Sequence, residues 1–461
     1  MKIITRITAI LAAVALLCGC TGNPATTPTD TPVPSQTANA PVEERVLTIR
    51  TYANYAFSQI DVDVFCALHP GVTIDYVDVP YDRDTYMESY TDYRDSISNA
   101  LIAGEAPDLF NPTGIRTSDH SDWGNLADFY TLMAEDADFV WGDYFDSVFS
   151  AYSYRGGMYA FPLTFSFVFL AVNKSIGNTQ TGEFMLRETA SYPDVIALYN
   201  DMPDTEGFLI EKNLYPLLLL HTEGARYIDF AAGTCDFDNP DFIALWETLK
   251  ELESTGLYNA EGASVANAFL KDEEAAKTNV FLSHIHSAFQ YFLPYEENHF
   301  THSIPLTDTA GRILIQTGDN FCISEASENK DLAWEFLQFV AAAQGPDSLK
   351  WAGTTIPVHR GAAEASIRRE VVNYMTNTEN STPSELFAAI HLDGDKDEYA
   401  NDIWLQLNAF CQHPMTASYD LLSSDFIDIL LEAYNKFTAD EITAAKAAAD
   451  IQADISALLA K

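Results

Sequence analysis

The alternation of apolar and polar positions divides the chain into a leader, an unpatterned spacer and a long patterned body. Residues 7–17 form an almost unbroken apolar run. It has the length of an export-signal core and falls well short of the roughly 20 residues that a membrane span needs. Residues 21–42 are rich in Thr and Pro, with almost no large apolar side chains. Such a stretch cannot bury enough surface to fold, and it predicts an extended, flexible spacer. Patterned sequence begins near Val46. Residues 46–52 alternate as a strand, 58–68 read as a helix ended by His69-Pro70-Gly71, and 72–77 read as a second strand. Helical spacing over 86–103 stops at Gly104, with Pro107 just beyond, and 108–110 give a short third strand. Strands alternating with helices in this way predict an α/β lobe on a largely parallel sheet.

The same patterning continues to the C-terminus. Residues 159–173 are aromatic and β-branched, which predicts a buried strand or two. Asn239-Pro240 opens a helix with Phe242, Leu245, Trp246 and Leu249 on one face and Gly256 as its stop. Residues 279–289 read as a strand running into a turn, and 313–323 as a strand interrupted by Gly318. Residues 330–340 read as a helix with Ala333, Phe336, Leu337 and Val340 on one face. A capping-box pattern from Thr438 to Glu441 opens a C-terminal helix that buries Ile451, Ile455, Leu458 and Leu459. No internal repeat is present, and no second apolar run reaches membrane length.

The ends of the leader give it a destination. Lys2 and Arg6 precede the apolar run, and Leu17-Cys18-Gly19-Cys20 follows it. This last stretch resembles a lipobox, the site where bacterial signal peptidase cuts before a lipid-modified cysteine. The resemblance implies that residues 1–19 are removed. Cys20 then carries the lipid, and 20–45 tether the body to the extracytoplasmic face of the cell membrane. An ordinary export signal with a coincidental cysteine is the alternative. The 461-residue chain is 47% hydrophobic, enough for two or three domain-sized units. Its formal charge is −42, and loss of the leader's two cations takes the side chains to −44. Such a surface repels phosphate backbones, so nucleic acid is excluded as a partner. Beyond Cys18 and Cys20, the cysteines are Cys66, Cys235, Cys322 and Cys411, far apart and without a CxxC pair. They could form up to two disulfides, or remain free thiols among their apolar neighbours.

Catalytic signatures are missing. The sequence has no phosphate loop, no GxGxxG after a strand, no HExxH and no GxSxG elbow. His284-Ile285-His286 would face one side of a strand, but polar residues lining a cleft explain it better than a metal site. Residues 393–397 (DGDKD) resemble the start of a calcium loop, yet they lack its Gly at the sixth position and its Glu at the twelfth, where Trp404 stands. A solvated acidic loop is the better reading, and no metal or cofactor is expected. Aromatic residues make up 12% of the chain, many of them near Pro, Gly and Asn. Flat rings stack on the apolar faces of sugars while Asn, Asp, Thr and His bond the hydroxyls.

Five stretches in order carry a resemblance to the extracellular solute-binding proteins of bacterial ABC importers, in the maltose-binding-like group associated with sugars. They are 47–57 (LTIRTYANYAF), 103–110 (AGEAPDLF), 158–175 (MYAFPLTFSFVFLAVNKS), 332–340 (LAWEFLQFV) and 355–358 (TIPV). The chain departs from the group's habits at His284 and His286, where Trp is frequent, and at Phe165 and Ser166, where a charge is frequent. The resemblance implies an α/β, two-lobe fold of the periplasmic-binding-protein type II kind, each lobe a mixed, mostly parallel sheet flanked by helices. It divides the body into an N-terminal lobe (46–163 with 305–352) and a C-terminal lobe (164–304 with 353–461). Crossings would fall near Leu163, near Pro305 and around Gly353. It implies a monomeric, non-catalytic protein that closes on a carbohydrate and delivers it to a membrane permease. The expected ligand contacts are Asn54, Tyr55, Asn111, Thr113, Phe165, Ser166, His284, His286, Thr317 and Asp319, with Trp351 and Trp404 as stacking platforms. The same fold binding a polyamine or peptide is the alternative; a surface-anchored polysaccharide hydrolase or an adhesin stands further off.

Overall fold

The computed structural model describes residues 44–173, 187–191, 193–194, 197, 208–210, 226–229, 232–254, 280–285, 301–349, 355–376, 395–417 and 424–460. The leader, Cys20, nearly all of the spacer, His286 and Trp351 lie outside them. The chain begins as its patterning predicts. Strand β1 (Arg45–Tyr52) runs parallel to β2 (Val72–Val79) and to β3 (Leu109–Phe110), with Ile49 opposite both Tyr76 and Leu109. Helix α1 (Gln59–Leu68) connects β1 to β2, and α2 (Tyr86–Ala103) connects β2 to β3. Ser58 caps α1 through a full capping box with Asp61, which satisfies N–H groups that the first turn cannot. Gly104 ends α2 at φ 72°, a left-handed conformation that glycine adopts without steric cost.

Beyond β3 the pairing changes hand. Strands β4 (Phe161–Asn173) and β11 (Ile313–Ile323) are antiparallel partners from Ile315↔Phe167 to Phe321↔Phe161. Strand β11 also joins β3 through Cys322↔Phe110, so the first three strands continue into the rest of the sheet. Strands β9 (Val280–Ile285) and β10 (Thr301–Thr307) pair antiparallel with the far half of β4. The short β12 (Ile356–Pro357) pairs with its near half, and β13 (Met415–Ala417) runs parallel to β11. The predicted parallel arrangement therefore holds around β1, whereas the two long strands gather mostly antiparallel neighbours. A tight turn explains part of this. Asp308 accepts from the backbone of Ala310 and Arg312 and folds β10 directly back onto β11.

Burial assigns these strands to two main cores within the unit that runs from Glu44 onward. Phe161, Leu163, Phe165 and Phe167 of β4 join Leu47, Ile49, Phe57, Phe65 and the apolar face of helix α7 (Lys330–Ala341) in the first. Val168 of β4 and Leu314 of β11 join Phe242, Trp246, Leu430, Ile451 and Ile455 in the second. Every residue from Phe161 to Val168 is buried, as expected of a strand covered on both faces. Among the described residues no helix is long and apolar enough to cross a membrane.

Two sequence expectations are corrected. Thr438 opens no helix: it is the last residue of one (Ser424–Thr438), and its hydroxyl donates back to the Tyr434 carbonyl at 3.1 Å. The chain turns at Asp440 (φ 60°), and the final helix (Ala444–Leu459) starts behind Thr443, whose hydroxyl accepts from the Lys446 N–H. Nor does Gly318 interrupt β11, which keeps its register with β4 on either side. The open alternative on the cysteines is also resolved: Cys66, Cys235, Cys322 and Cys411 are free thiols, the last two buried.

Candidate functional site

The C-terminal ends of β1 and β3 and the middle of β11 meet around a cavity of about 510 Å³. Tyr52, Ala53 and Asn54 line it from the end of β1, and Asn111, Pro112 and Thr113 from the segment after β3. Its floor is the β11 stretch from Thr317 to Phe321, and a further wall is Tyr81, Tyr86 and Tyr90. Ligand sites of open α/β sheets fall at this end of the parallel strands, where loops can approach without disturbing the core.

The tyrosines form a connected wall. Tyr86 and Tyr90 lie four residues apart on the first turns of α2, so they share one helix face. Ring centroids are 5.7 Å apart for Tyr86 and Tyr90, 5.3 Å for Tyr81 and Tyr86, and 6.1 Å for Tyr52 and Tyr90. Gly114, at φ 72°, lets Tyr90 approach: a Cβ there would lie 2.5 Å from the Tyr90 hydroxyl. Tyr81 is half exposed, leaving much of its surface open to a partner.

The asparagines of the rim have other work. Asn111 Oδ1 accepts from the Tyr52 N–H at 2.9 Å and from the Tyr93 hydroxyl at 2.8 Å, while its amide donates to the Tyr52 carbonyl at 2.8 Å. Asn54 donates to the Phe57 carbonyl and the Tyr76 hydroxyl and accepts from the Ala56 N–H. Both side chains line the cavity and at the same time clamp the rim loops that form it. Thr113 and Thr317 keep their expected place in the lining.

Among the described residues that line the cavity, Asp319 is the one carboxylate, and no Lys, Arg or His joins it. Thr164, fully buried on β4, donates to its Oδ2 at 3.1 Å. Burial pushes the Asp319 carboxyl above the usual carboxylate range, with this hydroxyl pulling the other way. Its backbone sits at φ 49° inside a strand. The neighbouring Gly318 brings β11 against Thr164; a Cβ there would lie 2.9 Å from the threonine oxygen. Asn320 donates to the Tyr152 hydroxyl at 3.2 Å, and its own Oδ1 is buried without a partner.

The remaining expected contacts lie elsewhere. Phe165 is fully buried in the first core, its ring 5.8 Å from Phe145 and 5.4 Å from Phe167, because its strand is covered on both faces. Ser166 is buried opposite Gln316. Trp404 packs on the first core near Phe145 and under the Arg360 guanidinium. Tyr55 is exposed on the rim loop and does not line the cavity. The backbone of His284 pairs opposite Val168. Tyr81, Tyr86, Tyr90 and Asn320 escaped the sequence reading. The recurrence of Tyr at 86, 90 and 93 was the available signal, but helical spacing alone reads as a core stripe. Among the described residues no three His, Cys, Asp or Glu side chains converge as a metal site. Asp395, from the acidic stretch 393–397, caps the helix Lys396–Phe410 through the Asp397 N–H.

Comparison with known proteins agrees with this architecture. The sugar-binding protein MalE from Xanthomonas citri superposes with a TM-score of 0.57 at 14% identity, covering 90% of this chain and 98% of that one. The GacH receptor of Streptomyces glaucescens, studied unliganded and with acarbose, gives 0.52 at 15% identity, covering 90% and 99%. A solute-binding protein of an ABC transporter from Thermotoga lettingae, bound with α-D-tagatose, gives 0.51 at 13% identity, covering 90% and 100%. At these identities the likeness establishes the fold, an α/β periplasmic-binding-protein architecture. No curated protein matches the chain by sequence. The family profile for bacterial extracellular solute-binding proteins, however, matches residues 37–345, well over half of the sequence. The chain therefore belongs to the bacterial extracellular solute-binding proteins, a family that binds its solutes rather than transforming them.

Proposed function

We propose that this solute-binding protein captures a carbohydrate, a mono- or oligosaccharide, in the tyrosine-lined cavity and delivers it to an ABC import permease. The observation that carries the reading is the wall of Tyr52, Tyr81, Tyr86 and Tyr90 facing the polar floor from Thr317 to Asn320. Aromatic faces against one side of a ligand and hydrogen-bonding groups against the other match the two faces of a sugar ring. The ligands named for MalE, GacH and the Thermotoga lettingae protein support the same class.

The lobes divide as 46–163 with 305–352 and 164–304 with 353–461, and the ligand draws them together by binding both. Such closure requires the closed form to bind more tightly than the open one, since equal affinity shifts no population. Cys20 carries the lipid that holds the protein on the extracytoplasmic face, and residues 20–45 let a monomeric body reach its permease. Incorporation of labelled fatty acid that is lost in Cys20→Ala tests the anchor.

A melting-temperature screen of the purified full-length chain against saccharides, polyamines and peptides tests the ligand class. A saccharide at 100 times its dissociation constant stabilises the folded state by about 2.7 kcal/mol, and it must be recovered unchanged. Stabilisation by polyamines or peptides alone overturns the carbohydrate reading and keeps the family.

A further inference from the structure

We propose that Asp319 and Asn320 form the specificity-determining floor of the cavity, which takes uncharged, hydroxyl-donating sugars and rejects acidic ones. The inference rests on the carbohydrate reading above. In a regular strand consecutive side chains face opposite sides. The positive φ of Asp319 breaks that alternation, and Asp319 and Asn320 both line the same cavity. A left-handed Asp inside a strand is a strained conformation that surrounding structure must enforce. Here the pairs Gly318↔Thr164 and Asn320↔Pro162 hold it from both sides.

Both residues offer acceptors. The Asp319 carboxylate receives one hydrogen bond, from Thr164 to Oδ2, and its other oxygen has no partner among the described residues. Asn320 donates to Tyr152, which fixes the amide, and leaves Oδ1 buried and unpartnered. A buried acceptor without a donor is costly, so the site favours a ligand that brings hydroxyl protons to both atoms. Both amide protons of Asn54 and one of the two on Asn111 are already donated within the protein, which leaves little amide capacity for an acidic group. With no Lys, Arg or His among the described residues that line the cavity, a ligand carboxylate or phosphate would meet the Asp319 carboxylate without a counter-charge from them.

The test compares glucose, galactose, mannose, maltose and cellobiose with their uronic-acid counterparts by calorimetry on the full-length chain. The best neutral sugar should bind at least ~30-fold more tightly than its uronate, with no salt condition reversing the order. Asp319→Asn suits the left-handed backbone, because Asn populates it more readily than most residues. It should weaken the neutral sugar by about 10-fold, the usual cost of a hydrogen bond to a charged group, and bring the neutral-to-uronate ratio close to one. Asn320→Ala should weaken the neutral sugar while keeping the wild-type ratio. An unchanged ratio in Asp319→Asn, or a uronate that binds wild type as well as its neutral partner, overturns the inference and leaves the carbohydrate reading standing. Binding of none of the sugars overturns both.

Discussion

Asn111→Ala separates a clamp from a ligand contact. The wild-type side chain makes three hydrogen bonds, with the Tyr52 N–H, the Tyr52 carbonyl and the Tyr93 hydroxyl. Tyr93 keeps two other acceptors, the carbonyls of Arg50 and Asn111, so its loss is small. The two bonds to Tyr52 tie the last residue of β1 to the segment that follows β3. At about 1 kcal/mol each, plus part of the cost of leaving a shielded N–H unpaired, their removal destabilises the protein by about 2–3 kcal/mol. Equilibrium unfolding in urea reads this as a lower midpoint at unchanged slope. Amide exchange should quicken at Tyr52 and its strand neighbours before it quickens in the core of α7. Affinity for the best sugar should fall with the loosened rim, and Thr113→Ala supplies the contrast, with affinity reduced at nearly unchanged stability. A variant that unfolds at the wild-type midpoint but has lost binding would refute the clamp and return Asn111 to the ligand.

Other expectations follow from the same geometry. Gly318→Ala forces a Cβ against Thr164 Oγ1 and should cost about 1–3 kcal/mol; Thr164→Ala in the same chain should recover part of it, giving a coupling measurable in a double-mutant cycle. Tyr81→Ala removes a half-exposed ring and should weaken sugar binding by about 5- to 30-fold, measured by titration calorimetry, while stability stays within about 0.5 kcal/mol. Because burial raises the Asp319 pKa, the unfolded chain releases that proton first. Stability from this group then declines as pH rises from the ordinary carboxylate pKa of about 4 through the raised one, and Asp319→Asn should gain stability at neutral pH but not in acid. Thiol titration of residues 44–461 should find four reactive groups after denaturation, with Cys322 and Cys411 protected in the native state.

The fold was more legible in this sequence than the site. Gly104 and Pro107 ended α2 where the structure ends it, and the helix read over 58–68 differs from α1 only in that Ser58 is its cap. These are local signals, since capping chemistry and backbone conformation depend on a few adjacent residues. Thr438 misled because Thr–x–x–Glu spacing also occurs at a helix end, where the hydroxyl turns back to the i−4 carbonyl. The cavity depends on which strand ends meet, and sequence position located Asn54, Asn111, Thr113, Thr317 and Asp319 around it. What position could not reveal was the direction of hydrogen bonding, so the clamping bonds of Asn54 and Asn111 could not be read. Phe165 looked like a ligand contact because a ring beside a crossing has the same sequence whether it faces a cavity or a core. Tyr86 and Tyr90 were passed over for the converse reason.

The clamps at Asn54 and Asn111 bear on how this protein can change over evolutionary time. Each fixes rim backbone through bonds within the protein, which leaves less rim ordering to oppose binding. Substitution at either position deforms the site for every ligand alike. Substitution at Tyr81, Tyr86 or Asn320 alters one wall while the rim stays in place. Drift in ligand preference is therefore channelled through the tyrosines and the β11 floor, and paralogues with different ligands should keep the two asparagines while exchanging the residues between them.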